Sequence, residues 1–176
     1  MFASTFGMAI AGFKAHFIRI EVDVSNGLPA FEIVGLAAVA VRESRDRVRS
    51  ALRNSGFQFP LQRITVNLAP ADLRKDGSGL DLPIAMGILL ATGQCSEAEI
   101  QNCVFAGELS LEGALRPIPG VLAMAVALRE KGEEIRGLLG GRGPVLVVPP
   151  DNQTEALLVQ GLENRSAPSL KDVLRA

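Results

Sequence analysis

The segment FIRIEVDV, residues 17–24, alternates apolar and charged side chains without a break. Because successive side chains of a β-strand point to opposite faces, this pattern predicts a half-buried strand whose isoleucines and valines face the core. The next residues, Ser25-Asn26-Gly27, favour a turn, since Asn and Gly tolerate positive φ. A second apolar run, Ala30 to Val34, is therefore predicted to return beside the first strand as an antiparallel hairpin.

Outward from this hairpin, the period of the apolar residues switches repeatedly between that of a helix and that of a strand. Such alternation predicts one α+β (mixed α/β) domain over residues 1–176, in which helices pack on a mixed sheet that includes the N-terminal hairpin. The predicted helices are residues 37–54, 82–92 with Asp81 as N-cap, 121–131, 154–160 and a last one from Leu170; the further strands are 63–68, 104–111 and 145–148. Residues 115–118 are predicted to be extended or looped, and residues 137–143 to be flexible.

Composition excludes several classes of function. The 176 residues carry a net charge of -1, so a domain that wraps nucleic acid with its whole surface is excluded and any such contact must be local. Two cysteines and one histidine are too few for a structural zinc site, and no metal is expected. The longest uncharged run, residues 82–96, falls short of the ~20 residues of a membrane span. The N-terminus has no basic segment typical of a signal peptide, so a soluble cytoplasmic protein is predicted.

The predicted helix over residues 37–54 is rich in arginine. Arg42, Arg45, Arg49 and Arg53 recur at three- and four-residue spacing and therefore share one face. Two interpretations are open. The arginines either form solvated pairs within the helix, Arg42 with Asp46 and Glu43 with Arg47, or present a surface to the DNA backbone or to a neighbouring subunit.

A polar loop, Lys75-Asp76-Gly77-Ser78-Gly79, precedes the apolar helix at residues 82–92. Three interpretations apply to it: an ordinary start of a helix, an anion cradle at a helix N-terminus, or a nucleophile site in which a lysine activates Ser78. The sequence contains no G-x-x-x-x-G-K-[ST] loop, so nucleotide hydrolysis cannot be argued from this chain.

Six segments in collinear order together resemble the ComM/YifB family, a magnesium-chelatase-like group of AAA+ ATPases. The resemblance covers essentially the whole chain, which makes it specific although each segment alone is weak. The segments are residues 27–36, 41–49, 63–75, 81–85, 107–110 and 115–121.

The resemblance implies a Lon-protease-domain-like fold for this region, because the N-terminal region of the family is similar to the proteolytic domain of Lon proteases. It also implies an AAA+ module C-terminal to this chain, with ATP and Mg as cofactors of that module and none in this domain. Members are associated with natural transformation and form rings that drive branch migration of DNA. The implied partners are single-stranded or branched DNA, the AAA+ module itself and neighbouring subunits, in a homo-hexamer.

The Lon-like nucleophile motif, Lys-Asp-Gly-Pro-Ser-Ala-Gly, matches this chain at Lys75-Asp76-Gly77 and then departs. Without a gap the nucleophile position falls on Gly79, with Ser78 one residue early, and the position of the lysine base falls on Leu122. The resemblance therefore implies a degenerate site in a non-enzymatic domain of an ATP-dependent DNA helicase. A Lon-like serine peptidase using Ser78 and a purely structural oligomerisation domain remain as alternatives. The candidate DNA contacts are Arg42, Arg45, Arg49, Arg53, Arg74 and Lys75.

Overall fold

The computed structural model describes residues 1–175; Ala176, which the predicted domain includes, lies outside them. The strands are β1 Phe2–Ala11, β2 Lys14–Ser25, β3 Ala30–Val34, β4 Arg63–Ala69, β5 Cys103–Phe105, β6 Glu108–Leu109, β7 Leu115–Arg116, β8 Val145–Val148 and β9 Glu163–Ser166. The α-helices are α1 Val39–Arg42, α2 Ser44–Asn54, α3 Asp81–Ala91, α4 Glu97–Ile100, α5 Val121–Ile135, α6 Gln153–Ala156 and α7 Leu170–Val173. Short 3-10 helices occupy Arg136–Leu139 and Pro150–Asn152.

A mixed seven-stranded sheet in the order β3-β4-β2-β1-β5-β8-β9 forms the centre of the molecule, and β6 pairs with β7 in a small second sheet. One hydrophobic cluster on the first face of the large sheet contains α1, α2, α3 and α7 residues. A second cluster on the opposite face is built around α5. This arrangement confirms the predicted α+β class with helices packed on a mixed sheet.

The pairing predicted for the N-terminal hairpin is wrong. Strand β2 pairs antiparallel with β1 and with β4, whereas β3 pairs parallel with β4. The antiparallel hairpin is therefore β1–β2, with its turn at Gly12 and Phe13. Strand β1 is central in the sheet and largely buried on both faces, so its sequence lacks the alternation that marks a half-buried strand.

Several predicted elements have different limits in the structure. The helix predicted for residues 37–54 starts at Val39 and is interrupted at Glu43, and the strand predicted for residues 104–111 is broken at Ala106-Gly107. Asp81 is not an N-cap; it is the first residue of α3, and its carboxylate is used elsewhere. Within residues 1–175, no helix is both long and apolar enough to cross a membrane.

Candidate functional site

The loop between β4 and α3 borders a cavity of about 620 Å³. Its polar lining comes from Arg74, Asp76 and Ser78, and its apolar lining includes Ile118 and Met124. The loop reaches this position because β4 ends at the same side of the sheet at which α3 begins to pack on β1 and β2. The cavity is therefore the place at which the degenerate nucleophile site was predicted.

Ser78 and Gly79 lie at this cavity, whereas Leu122 does not line it. The Ser78 hydroxyl donates a hydrogen bond to Glu108 Oε2 at 2.8 Å. A Cβ added at Gly79 would come within 2.9 Å of Ile118 Cδ1, so this position accepts only glycine without rearrangement. Leu122 is 43% exposed, and its backbone N–H points to Glu155 Oε2 at 3.3 Å.

Lys75 is turned into the protein, which removes it from the candidate DNA contacts. Its side chain is fully buried, and Nζ donates to the carbonyl oxygen of Gly35 at 2.6 Å and to that of Pro70. Its backbone is held as well, because its N–H donates to Leu36 O at 3.0 Å. Burial lowers the pKa of the Lys75 amine, against a smaller opposing effect from Asp72. Through these hydrogen bonds Lys75 connects the loop after β3 to the segment after β4.

The chemistry available to Ser78 differs from that of a Ser-Lys dyad. Of the residues that line the cavity in the described part of the chain, none is a lysine. The partner of the hydroxyl is the carboxylate of Glu108, and a carboxylate is a much weaker base than an amine. A hydroxyl without an effective base is a poor nucleophile. Ser78 is held by its hydrogen bond to Glu108, and its cavity is bordered by no lysine among residues 1–175.

An ion pair between the fully buried Asp81 and the partly buried Arg47 lies behind this loop. Arg47 donates to Asp81 from Nε at 2.7 Å and from Nη2 at 3.1 Å. The Ser44 hydroxyl and the Leu109 N–H, the latter at 3.0 Å, supply further bonds to the same carboxylate. Burial raises the pKa of Asp81, and the hydrogen bonds from Arg47 and Ser44 oppose that rise. The hydrogen bond to Asp81 raises the pKa of Arg47, so this guanidinium stays charged and remains paired with Asp81.

The other four arginines of α1 and α2 form what we call the arginine row: Arg42, Arg45, Arg49 and Arg53. Arg42, Arg45 and Arg53 are exposed and, within residues 1–175, form no ion pair. The predicted pair of Arg42 with Asp46 is wrong, because Asp46 pairs with Arg49 at 3.5 Å. The predicted pair of Glu43 with Arg47 is present at 4.0 Å.

The arginine row is tied to the edge of the sheet. Arg45 donates to the carbonyl oxygen of Arg42 at 3.1 Å and to that of Phe31, in the edge strand β3, at 3.5 Å. Arg49 and Arg53 both place their guanidinium carbons over the ring of Phe59, 5.5 and 5.7 Å from its centroid. Arg74 is separate from the row and lines the cavity at Ser78.

Sequence reasoning missed Glu108, the Arg47–Asp81 pair and Phe59. A signal for Arg47 was present, because Arg47 does not fit the three- and four-residue spacing of the row and lies next to the buried positions Ser44 and Val48. No local sequence signal pointed to Glu108 or Phe59. Glu108 contacts Ser78, and Phe59 contacts Phe31, only because the folded chain brings them together. In residues 1–175, no group of three or more His, Cys, Asp or Glu side chains is arranged to hold a metal ion.

Fold and site together describe an α+β domain in which the loop at residues 75–79 places Ser78 beside Glu108 and buries the Lys75 side chain. Residues 20–138 match the family described as subunit ChlI of Mg-chelatase. The chain is 41% identical over 173 residues to competence protein ComM of Haemophilus influenzae, covering 98% of this chain and 32% of that protein. It is 42% identical over 153 residues to YifB of Escherichia coli, covering 87% of this chain and 28% of that protein. The chain therefore belongs to the magnesium-chelatase-like ChlI family, with ComM and YifB as relatives.

A more distant similarity extends to Lon proteases. Lon protease 2 of Bacillus subtilis is 26% identical over an alignment 188 residues long, gaps included. The alignment covers 96% of this chain and 31% of that protein. Lon proteases are the class whose nucleophile motif resembles this loop at residues 75–77 and differs from it at residues 78–79. The chain spans about a third of the length of ComM and YifB.

Proposed function

We propose that this chain is a non-catalytic module of a ring-forming AAA+ ATPase that acts on DNA, and that it contacts the DNA backbone through the arginine row. The observation that carries the proposal is the row itself, in which three exposed guanidinium groups have no carboxylate partner within residues 1–175. Arginine binds phosphate in a bidentate, charge-assisted manner. A local cationic surface also fits a domain whose net charge is only -1.

The absence of catalysis in this module rests on the surroundings of Ser78. Its hydroxyl donates to Glu108, and the loop lysine, Lys75, is bonded to backbone carbonyls instead. The fold of a peptidase is then used as a scaffold, since one fold supports unrelated functions when its site residues change.

We infer the wider assembly from family membership. Membership supports an AAA+ module that uses ATP and Mg in the complete protein. The name of the Haemophilus relative refers to competence. We extend this to a role in natural transformation and recombination, in which a cytoplasmic homo-hexamer drives branch migration and this module contributes to its assembly.

The test is fluorescence anisotropy with labelled single-stranded and forked DNA, using wild type and Arg42→Glu/Arg45→Glu. Both arginines are exposed and free of ion pairs in residues 1–175, so charge reversal removes phosphate contacts without breaking an internal pair. We expect the double variant to bind about tenfold or more weakly at low salt, because two phosphate contacts become repulsive.

The matched control is Arg129→Glu/Arg142→Glu, which changes the net charge equally. These arginines are also exposed and without ion pairs in the described chain, but they lie at the β8–β9 end of the sheet. Retained binding in the control with loss in the first variant supports the proposal. Equal loss in both, or no binding by wild type, contradicts it; absence of binding would leave an assembly role alone.

A further inference from the structure

A small cavity opens beside the arginine row where the loop before β4 passes α2. Its volume is about 280 Å³. Its lining is mixed: the apolar part includes Pro29, Phe31, Phe59 and Leu61, and the polar part comes from Arg49, Arg53 and Gln62. We call it the Phe59 cavity. A site that combines aromatic and aliphatic side chains with two cations suits a ligand that is planar and apolar on its faces and carries a negative charge nearby.

The ring of Phe59 holds both guanidinium groups at this cavity. Arg49 lies 5.5 Å and Arg53 5.7 Å from its centroid. Phe59 is in turn supported by Phe31, whose ring centroid is 5.5 Å away and which is only 6% exposed. An arginine that already rests on an aromatic ring loses less conformational freedom when it binds. The cations are thus arranged before any ligand arrives.

The geometry points to single-stranded nucleic acid as the ligand: we propose that the Phe59 cavity receives one unstacked base, while Arg49 or Arg53 stacks on that base or binds its phosphate. The inference rests on the proposed DNA contact and adds to it a binding site for one unstacked base. A guanidinium has two faces, and one that packs on Phe59 leaves the other available to a base. Bases in a duplex are already stacked and paired, so they cannot enter the cavity without an unstacking cost.

Charge supports a nucleic acid in preference to an uncharged occupant. The cavity borders on the arginine row; of its two cations, Arg49 pairs with Asp46 at 3.5 Å, whereas Arg53 forms no ion pair within residues 1–175, and Glu32 of the neighbouring strand β3 pairs with Arg63 at 3.7 Å. Leu61, at the mouth, is 76% exposed and has apolar surface to offer a second base. A strand can therefore follow the row with its phosphates and place a base in the cavity.

The experiment compares the affinities of Phe59→Leu and wild type for three labelled DNA ligands of equal length. They are single-stranded oligothymidylate, a single strand with the same sugar-phosphate backbone but no bases, and a duplex. Phe59→Leu keeps apolar contact with Phe31 but removes the ring that positions the arginines. We expect it to weaken oligothymidylate binding about fivefold or more, as for loss of a stacked base, and to change binding of the other two strands less than about twofold. Arg53→Gln, an exposed position, should weaken binding of all three ligands through the lost charge and of oligothymidylate most, and it guards against a folding defect in Phe59→Leu.

Phe13→Leu is the matched control, because Phe13 is fully exposed at the β1–β2 turn. The inference is overturned if wild type binds the base-free strand as tightly as oligothymidylate, or if both variants bind oligothymidylate like wild type. In either case the proposed function survives provided that Arg42→Glu/Arg45→Glu still weakens binding. If wild type binds none of the three strands, the proposed function itself fails. If Phe59→Leu changes self-association without changing strand selectivity, the cavity serves a protein contact and the inference is wrong.

Discussion

At the scale of single residues, Arg47 and Arg45 are two positions apart in one helix yet face opposite environments. Arg47 points inward to Asp81, a fully buried carboxylate that accepts from three residues. We expect Asp81→Asn to lower the free energy of unfolding by about 3–5 kcal/mol, the range for breaking a buried ion pair. The amide places a donor where the carboxylate accepted, and it leaves Arg47 without its counter-charge. Urea denaturation followed by circular dichroism measures the change.

Asp23→Asn serves as the control for this substitution, since Asp23 is exposed on β2 and should shift stability by no more than about 0.5 kcal/mol. Arg47→Met should resemble Asp81→Asn, and the double variant should be more stable than the sum of the two losses predicts. Additive losses would show that the two groups do not interact, contrary to the 2.7 Å contact.

At the scale of elements, α3 depends on one glycine to lie close to the sheet. Ten of its eleven residues are buried. A Cβ at Gly87 would lie 2.6 Å from Val22 Cγ2 and 3.3 Å from Thr5 Oγ1, both in the sheet beneath. Gly87→Ala gains about 1 kcal/mol of helix propensity, but overpacking a core typically loses about 1–3 kcal/mol. We therefore expect a net loss of stability by thermal unfolding. Gly137→Ala, where an added Cβ meets nothing within 4 Å, should be nearly neutral, and a stabilised Gly87→Ala would contradict this packing.

How far the sequence predicts these elements depends on which faces they bury. Strands β2 and β4 are buried on one face, so their alternation was readable. The limits of β4 were predicted to within one residue, whereas β2 begins three residues before its predicted start. Strand β1 is buried on both faces and gave no such pattern, and without it the first hairpin was assigned to the wrong partner. Strand β9, ENRS, is a polar edge strand that resembles a loop in sequence.

The candidate site was predictable only where its residues are close together in the sequence. The position of Ser78 and Gly79 at one cavity, and the outward spacing of the arginine row, follow from local order along the chain. The burial of Lys75 does not, because its acceptors Gly35 and Pro70 are set by how the loop after β3 meets the end of β4. Long-range contacts of this kind leave no periodic trace in a single sequence.

At the scale of the whole molecule, two groups of arginines lie at opposite ends of the sheet, and Arg136 and Arg165 of the second group pair with Glu133 and Glu163. The arginine row lies beside β3, and a second group, Arg129, Arg136, Arg142 and Arg165, lines a cavity of about 570 Å³ near β8 and β9. Over the whole chain, 19 acidic residues offset 18 lysines and arginines, which gives the net charge of -1. Salt dependence can therefore tell whether a bound strand contacts one end or both.

For single-stranded DNA, the logarithm of affinity falls with the logarithm of salt concentration with a slope of about -0.7 for each neutralised phosphate. Four contacts at the arginine row alone predict a slope of about -3, whereas contacts at both ends predict about -6. We expect the smaller value, because the two groups lie at opposite edges of a seven-stranded sheet and a single strand at the row does not pass the other edge. Titrations between about 50 and 200 mM salt measure it.

Arg42→Gln/Arg45→Gln should reduce the slope by about half, and Arg129→Gln/Arg142→Gln should leave it unchanged. A steep slope that both variants reduce would mean that DNA wraps the module, and the row would then be one part of a larger binding surface.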